Sequence, residues 1–541
     1  MGEEVSSRSY TREQRQRYRE KVRADLDVFE QMLARASFEF DRPMTGLEIE
    51  LNLVDGSFDP HFHNDEVLAA IADPGYQTEL ARYNIELNVP PRPLPGRAAL
   101  ELEEDLRASL NAADAAARGV GSRIVTIGIL PTLRPEHYEQ EWISDNNRYT
   151  ALNDSIFVAR GEDIRLEIEG PTGERVDTWC DSIAPESACT SVQLHLQVAP
   201  AQFAAHWNAA QALSAPQIAL GANSPFFYGR RLHAETRIAL FTQATDTRPV
   251  ELKNQGVRPR VFFGERWITS IFDLFEENVR WFPALLAESS EEDPAAKLRA
   301  GIAPDLSELR LHNGTVYRWN RPIYDVVGGR PHLRVENRVL PAGPTITDVM
   351  ANAAFYYGAA RVLARQERPV WTRMSFPACA ENFTRAARDG IDARLYWPGY
   401  GEVSADELVL RHLLPLAHQG LEEWGWLRRC ASATWGSSRA GASRGSTARC
   451  GRPGRSNTSS ATARTGPPPC AGCWRPTPST WTRTSRCTPG RCPRGHAGAA
   501  GGPLRRCGAQ VPMGSTSSAR AGTGGGTASA AAGCGGVRTE A

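Results

Sequence analysis

The sequence predicts an α+β domain built on a largely antiparallel sheet. Three observations predict it. Four short segments alternate apolar and polar residues with a period of two, and four longer ones carry apolar residues at helical spacing. The order of the two kinds shows no regular βαβ alternation and no repeat of fixed period.

Residues 11–36 read as a helix, because Val22, Leu26, Phe29 and Leu33 recur at three- and four-residue spacing with charges elsewhere. Residues 44–53, MTGLEIELNL, read as a strand with Leu47, Ile49, Leu51 and Leu53 on one face and Gly46, Glu48, Glu50 and Asn52 on the other. Residues 84–89 repeat this, with Ile85, Leu87 and Val89 opposite Asn84, Glu86 and Asn88. A helix over 97–118 follows and stops at Gly119, a residue suited to a helix C-terminus. Residues 192–198 set Gln193, His195 and Gln197 against four aliphatics, and residues 333–339 set Arg334, Glu336 and Arg338 against Leu333, Val335 and Val339. Helices are expected at 271–286 and 347–366. No linker-like stretch divides residues 1–429, which are therefore read as one domain.

Residues 430–541 are of another kind. They hold no Lys, Asp, Ile, Phe or Tyr, a single Glu (Glu540) and a single Leu (Leu504), yet eight of the eleven cysteines. Too little apolar surface exists there to offset chain entropy, so disorder is expected. Nearly every residue of the segment has G or C at its middle codon position, the signature of a GC-rich gene read out of frame. The expectation is a frame change near residues 424–429. A natural Arg-rich tail binding nucleic acid is the alternative, which the scattered cysteines do not suit. Cys470-x-x-Cys473 has no second pair at metal-site spacing.

Residues 1–429 alone hold 47 Lys plus Arg against 61 Asp plus Glu, a net charge of about −14. That balance argues against nucleic acid as a partner. Cys180, Cys189 and Cys379 suit a reducing compartment, and neither a secretory h-region nor a bilayer-length apolar run is present, so a cytoplasmic protein without membrane association is expected.

The polar faces of the four strands carry carboxylate, imidazole, carboxamide and guanidinium, with Lys absent. On a single strand, Glu48 and Glu50, about 7 Å apart, would ordinarily be a solvated face. If the four strands share one sheet backed by helices, Glu48, Glu50, Glu86 and Glu336 meet on one concave surface. Such acids raise one another's pKa unless cations compensate, and hard oxygen donors of this kind favour Mg²⁺ or Mn²⁺ over zinc. Magnesium on carboxylates keeps positions open for substrate phosphates, and Arg334 and Arg338 supply planar donors for phosphate or carboxylate oxygens. Neither GxxxxGK[ST] nor a post-strand GxGxxG occurs, so a P-loop or Rossmann site is excluded.

Gly46-Leu47-Glu48-Ile49-Glu50, Ile85-Glu86-Leu87-Asn88-Val89-Pro90-Pro91, Gln193-Leu194-His195-Leu196-Gln197-Val198, Asn223-Ser224-Pro225-Phe226 and Arg334-Val335-Glu336-Asn337-Arg338 resemble, in this order, glutamate–cysteine ligase family 2, the ATP-dependent carboxylate–amine ligases. The resemblance spans about residues 40–425. It implies a glutamine-synthetase-like fold, whose antiparallel sheet curves into a funnel that admits metal-bound ATP beside the amino acid. It further implies Glu48, Glu50, Glu86 and Glu336 as metal ligands, Arg338 as a phosphate or substrate contact, and Gln193 and His195 on the nucleotide and metal side. Glu235 and Arg237 fall where the family keeps polar substrate contacts.

Other residues have two readings each. Arg148-Tyr149 resembles a family segment near the substrate, or is a surface stack. Asn223-Ser224-Pro225 is a site segment or a plain turn. In residues 313–322, Arg318 and Arg321 are candidate carboxylate or phosphate clamps, or solvated loop arginines. His61 and His63 lack a partner pair for zinc, and Glu79 has no assigned direction.

The leading expectation is an ATP- and Mg²⁺-dependent ligase that phosphorylates a carboxylate, that of glutamate, and joins the acyl group to an amine such as cysteine. Small-molecule amino acids and ATP are its partners, and homo-oligomerisation is left open. The alternatives are a ligand-binding protein of the same fold without turnover and a phosphotransferase of the guanidino-kinase type. The family pattern also calls for a further helical segment after residue 425, where this chain turns Arg-rich.

Overall fold

The computed structural model describes residues 5–40, 43–96 and 98–426, all within one compact unit. The expectations about residues 430–541, Cys470 and Cys473 included, lie outside the described residues.

Seven strands form the main sheet: β1 (Met44–Val54), β2 (Tyr76–Thr78), β3 (Asn84–Pro93), β4 (Arg123–Val125), β5 (Ser191–Gln197), β6 (Asn320–Val327) and β7 (Arg330–Pro341). Their spatial order is β6-β7-β5-β1-β3-β2, with β4 beside the end of β1, and every pairing is antiparallel. The sheet is curled, with helices flanking it.

The period-two pattern decides which face is covered. Leu47, Ile49, Leu51, Ile85, Leu87, Leu194, Leu196 and Val335 are buried in a core shared with Trp207 and Leu213 of α3 (Pro200–Gly221) and Phe355 and Tyr356 of α4 (Ile346–Leu363). Each such aliphatic contributes about 1.5–3 kcal/mol relative to exposure. The opposite face therefore keeps its polar side chains for a site.

α1 (Arg12–Ala34) starts on a capping box, in which Gln14 N donates to Thr11 Oγ1 at 3.2 Å and Thr11 N donates to Gln14 Oε1 at 2.7 Å. α2 (Ala98–Gly119) matches the expected helix closely. The helix expected over 271–286 is shorter, Ile271–Trp281. Phe282 is extended (φ −114°, ψ 125°) because it precedes Pro283, whose ring disfavours helical geometry there.

Two features hold the site strands in place. Behind β7, buried Asn337 donates to Asn320 Oδ1 at 2.7 Å and accepts from Gln217 Nε2 of α3 at 2.9 Å. Asn320 in turn donates to Gln211 Oε1 at 2.6 Å and Ser214 Oγ at 3.0 Å. Asn337 lies between Glu336 and Arg338, so this network fixes both from the rear. The second is the crossing of α4 with α5 (Leu414–Glu423). A Cβ at Gly358 would overlap the Ala417 carbonyl, and one at Gly420 would overlap the Gly358 carbonyl. Only glycine allows the two backbones this approach.

Candidate active site

The register brings the predicted acids together on one face. Glu50 stands opposite Glu86, Glu48 lies between Asn88 and Gln193, and Glu336 stands opposite His195. They do not form a single cluster, however. Donor atoms of Glu48, His195 and Glu336 lie within 4.8 Å of one another, and so, separately, do those of Glu50, Glu79 and Glu86. Glu79, the residue after β2, thus joins a group that the sequence assigned to Glu50 and Glu86 alone.

In the first group Glu336 is fully buried and doubly paired. Arg321 Nη2 and Arg338 Nη1 each reach its Oε1 at 2.8 Å, and Arg321 Nε bonds its Oε2. Burial opposes ionisation, but Arg321 and Arg338 outweigh it and pull the Glu336 carboxyl down to about 2. Arg321 is on β6, directly opposite Glu336, and not in a loop. Glu48 Oε1 is 2.9 Å from His195 Nε2. Burial works to raise Glu48 as well, and the His195 ring prevails and holds it well below the usual range. Arg334 Nε donates to His195 Nδ1 at 3.1 Å. A guanidinium only donates, so Nδ1 accepts, and Nε2–H is left to donate to Glu48. In this arrangement His195 orients Glu48. Arg334 is itself anchored by Asp325 at 3.0 Å.

The second group is short of positive charge. Burial pushes Glu50 upward against Arg338, and burial together with Glu86 and Glu50 drives Glu79 well above the carboxylate range. Burial and Glu48 raise Glu86 to about 7. Glu50 accepts from Ser191 N at 2.6 Å and Gln193 Nε2 at 2.9 Å, and Asn88 Nδ2 donates to Glu86 at 3.2 Å. Three convergent buried carboxylates whose ionisation is opposed by burial and by one another fit a hard divalent cation.

Between the two groups lies Arg338. The pairing of β7 with β5 steps from Asn337–Leu194 to Leu340–Val192, a bulge that sets Arg338 and Val339 against Gln193. Arg338 Nη1 bonds Gln193 Oε1 there, so Gln193 links Arg338 to Glu50. Arg237, 3% exposed, donates to Glu235 at 2.9 Å and to the Val339 carbonyl at 2.5 Å, which supports the bulge. Arg318 directs Nη2 to Glu277 at 2.7 Å and Asn278 at 3.0 Å, over the Phe262 ring. Its ties are thus to a neighbouring helix and not to the acids.

Two chambers meet here. One, open to solvent, is lined by Glu48, Glu50, Glu79, Glu86, Arg148, Tyr149, Glu186, Arg237, Tyr317, Arg318, Arg321 and Arg338. The other is more apolar, with Met44, Leu47, Val89, Pro91 and Val327 beside His195, Gln197 and Arg334. Glu48 borders both. Asn223 faces elsewhere: its Nδ2 donates to the Ala342 carbonyl and its N–H to Glu235, a structural turn. His61 and His63 stack on each other at 4.2 Å, with no third ligand among the described residues.

Carboxylates that suit cations and guanidiniums that suit oxyanions thus share one face of an antiparallel sheet, an arrangement in keeping with a carboxylate–amine ligase. The chain belongs to glutamate-cysteine ligase family 2, whose family model matches residues 44–433. No curated protein matches the sequence. Similar solved structures include a glutamate–cysteine ligase from Francisella tularensis in complex with AMP (11% identity, TM-score 0.46, covering 75% of this chain and 83% of that one). Others are a bifunctional glutathione synthetase from Pasteurella multocida (12%, 0.45, 78% and 51%) and the complex of the prokaryotic ubiquitin-like protein Pup with its ligase PafA (11%, 0.31, 75% and 64%).

Sequence reasoning missed one wall of the first chamber. Glu186, on the 3₁₀ turn Ala184–Ala188, faces it, and burial with Glu50 pushes its carboxyl up to about 8. A five-residue turn has no periodicity that would have flagged it.

Proposed function

We propose that this chain is an ATP- and Mg²⁺-dependent ligase that joins the side-chain carboxylate of glutamate to an amine such as cysteine through an acyl phosphate. The observation that carries this reading is the pairing of two convergent donor groups, Glu48–His195–Glu336 and Glu50–Glu79–Glu86, with Arg338 between them. Family membership supports it.

In this reading Glu50, Glu79 and Glu86 would hold one cation, and Glu48 and Glu336 would hold another. Bound Mg²⁺ or Mn²⁺ neutralises phosphate charge during transfer. Arg338, and Arg321 behind it, orient the transferring phosphoryl group or the acceptor carboxylate. The apolar chamber takes the purine, with Arg334 and Gln197 at its polar rim, and the acid-lined chamber takes the amino acid. Arg237 and Arg318 line the acid chamber and shape it, Arg237 by supporting the bulge and Arg318 by its tie to Glu277. The carboxylate oxygen attacks phosphorus to give the acyl phosphate, and the amine then displaces phosphate to leave the amide. Among the described residues no helix is long and apolar enough to cross a membrane, and the three free cysteines suit a cytoplasmic setting.

The test is ADP release. It should require MgATP, L-glutamate and an amine such as L-cysteine together. Release with a guanidino compound as sole acceptor would identify a phosphotransferase instead, and ligand binding without ADP under any combination would leave a binding protein.

A further inference from the structure

The acid-lined chamber contains one carboxylate that neither donor group uses. Glu48 is bonded to His195, Glu336 to Arg321 and Arg338, Glu50 to Ser191 and Gln193, Glu79 to Leu80 N at 2.8 Å, and Glu86 to Asn88. The Glu186 side chain has no hydrogen bond or ion pair among the described residues, yet it lines the same cavity. Its backbone is fixed. Glu186 N donates to Ile183 O at 2.9 Å, Cys189 N donates to Glu186 O at 2.9 Å, and Ser187 Oγ donates to Ala184 O at 2.7 Å. Ser187 is further held by Tyr83 OH at 3.3 Å.

A half-buried carboxylate on a rigid turn, without a partner, calls for a cation. A metal is the weaker match, because Glu186 belongs to neither group of convergent donor atoms. The chamber that it lines also carries Leu80, Leu152, Phe241 and the rings of Tyr149 and Tyr317, beside the other acids. A carboxylate outside both donor groups, in a chamber that also offers aromatic rings, suits an organic ammonium, which the ring faces attract.

We infer that Glu186 is the residue that binds the ammonium group of the incoming amine and takes its proton before attack. The inference rests on the ligase reading and assigns the acceptor subsite within it. The proton balance is complete. The substrate ammonium gives one proton to Glu186, which passes it to solvent. The neutral nitrogen then forms a bond to the acyl carbon as the carbon–oxygen bond to phosphate breaks, and the second nitrogen proton leaves with the phosphate.

Hydroxylamine separates this role from a structural one, because it is already neutral at neutral pH and needs no carboxylate to deprotonate it. Full-length chain and Glu186→Gln are compared with MgATP and L-glutamate, using L-cysteine or hydroxylamine as acceptor, with amide and hydroxamate measured separately. The expected result is that Glu186→Gln loses about 10²-fold or more with L-cysteine and keeps its hydroxamate rate within a few-fold. Equal losses with both acceptors, or no loss with either, would overturn the assignment while leaving the ligase reading intact. Hydroxamate but no cysteine product from the parent chain would also overturn it. Absence of both products from the parent would overturn the ligase reading and this inference together.

Discussion

Arg321 and Glu336 face each other across the β6–β7 hairpin, in register, with the guanidinium bonded to both carboxylate oxygens. Glu336 has no exposure, so without Arg321 only Arg338 would remain beside a buried charge. Removing one partner of such a pair costs more than the pair contributes.

Arg321→Ala is therefore expected to lower stability by about 1–3 kcal/mol in urea unfolding, and to lower activity as well. Arg321→Lys, which keeps the charge but loses the fork, should fall between parent and alanine variant. A midpoint unchanged by Arg321→Ala would show that the pair is not a structural support.

Glu50→Gln and Arg338→Ala are expected to fail differently. Glutamine keeps the shape of Glu50 and removes a charge assigned to a cation, so excess Mg²⁺ should restore part of the rate. Loss of Arg338 removes a donor to phosphate or carboxylate oxygens, and the resulting drop of about 10²–10³ in kcat/KM should not respond to Mg²⁺. Identical Mg²⁺ titrations for the two variants would return Glu48 and Glu50 to the status of a merely polar strand face.

The pH dependence of the metal-free protein follows from Glu86 and Glu186, raised to about 7 and 8 by burial and neighbouring acids. A carboxyl raised in the folded state favours folding while it stays protonated, and that contribution is lost as pH rises through the folded value. In EDTA, Tm is expected to fall from about pH 4.5, the ordinary carboxyl value, to about pH 8 and to level off above it. Mg²⁺ should raise Tm most at the alkaline end, where the carboxylates are free to bind it. A Tm flat across this range, with and without Mg²⁺, would contradict the assignment of an uncompensated acid group.

Asn337→Leu removes the central member of a buried network that includes Asn320 and Gln217. Leaving those amides unpaired should cost about 1–3 kcal/mol each. Because β7 would lose its rear anchor between Glu336 and Arg338, KM for the metal nucleotide should rise as well, which steady-state titration would reveal.

Much of this site is legible in the sequence, because period-two alternation fixes which residues share a face. Glu48, Glu50, Glu86, Gln193, His195, Glu336 and Arg338 are all placed on the polar face in that way. What alternation does not contain is the register between strands distant in sequence. The division of the acids into two groups depends on Glu50 standing opposite Glu86 and Glu336 opposite His195. Arg321 reads as a loop residue in the run 313–322, yet it lies on an edge strand, which tolerates Pro322 beside it. Glu79 and Glu186 sit after a three-residue strand and on a 3₁₀ turn, segments too short to show a pattern. Arg318 lines the acid chamber as well, with one end of its guanidinium tied to Glu277, a partner the sequence does not reveal.

Glu48 is the wall common to both chambers, and a shared wall has a thermodynamic consequence. Whatever enters the acid-lined chamber and alters the charge or hydrogen bonding of this carboxylate alters the environment of whatever occupies the other one. By linkage the influence is equal in both directions: the factor by which the first ligand changes the affinity of the second is the factor by which the second changes the first. Ligands in the two chambers would thus be coupled in part through this side chain, and replacing Glu48 should weaken the dependence of one binding isotherm on the other.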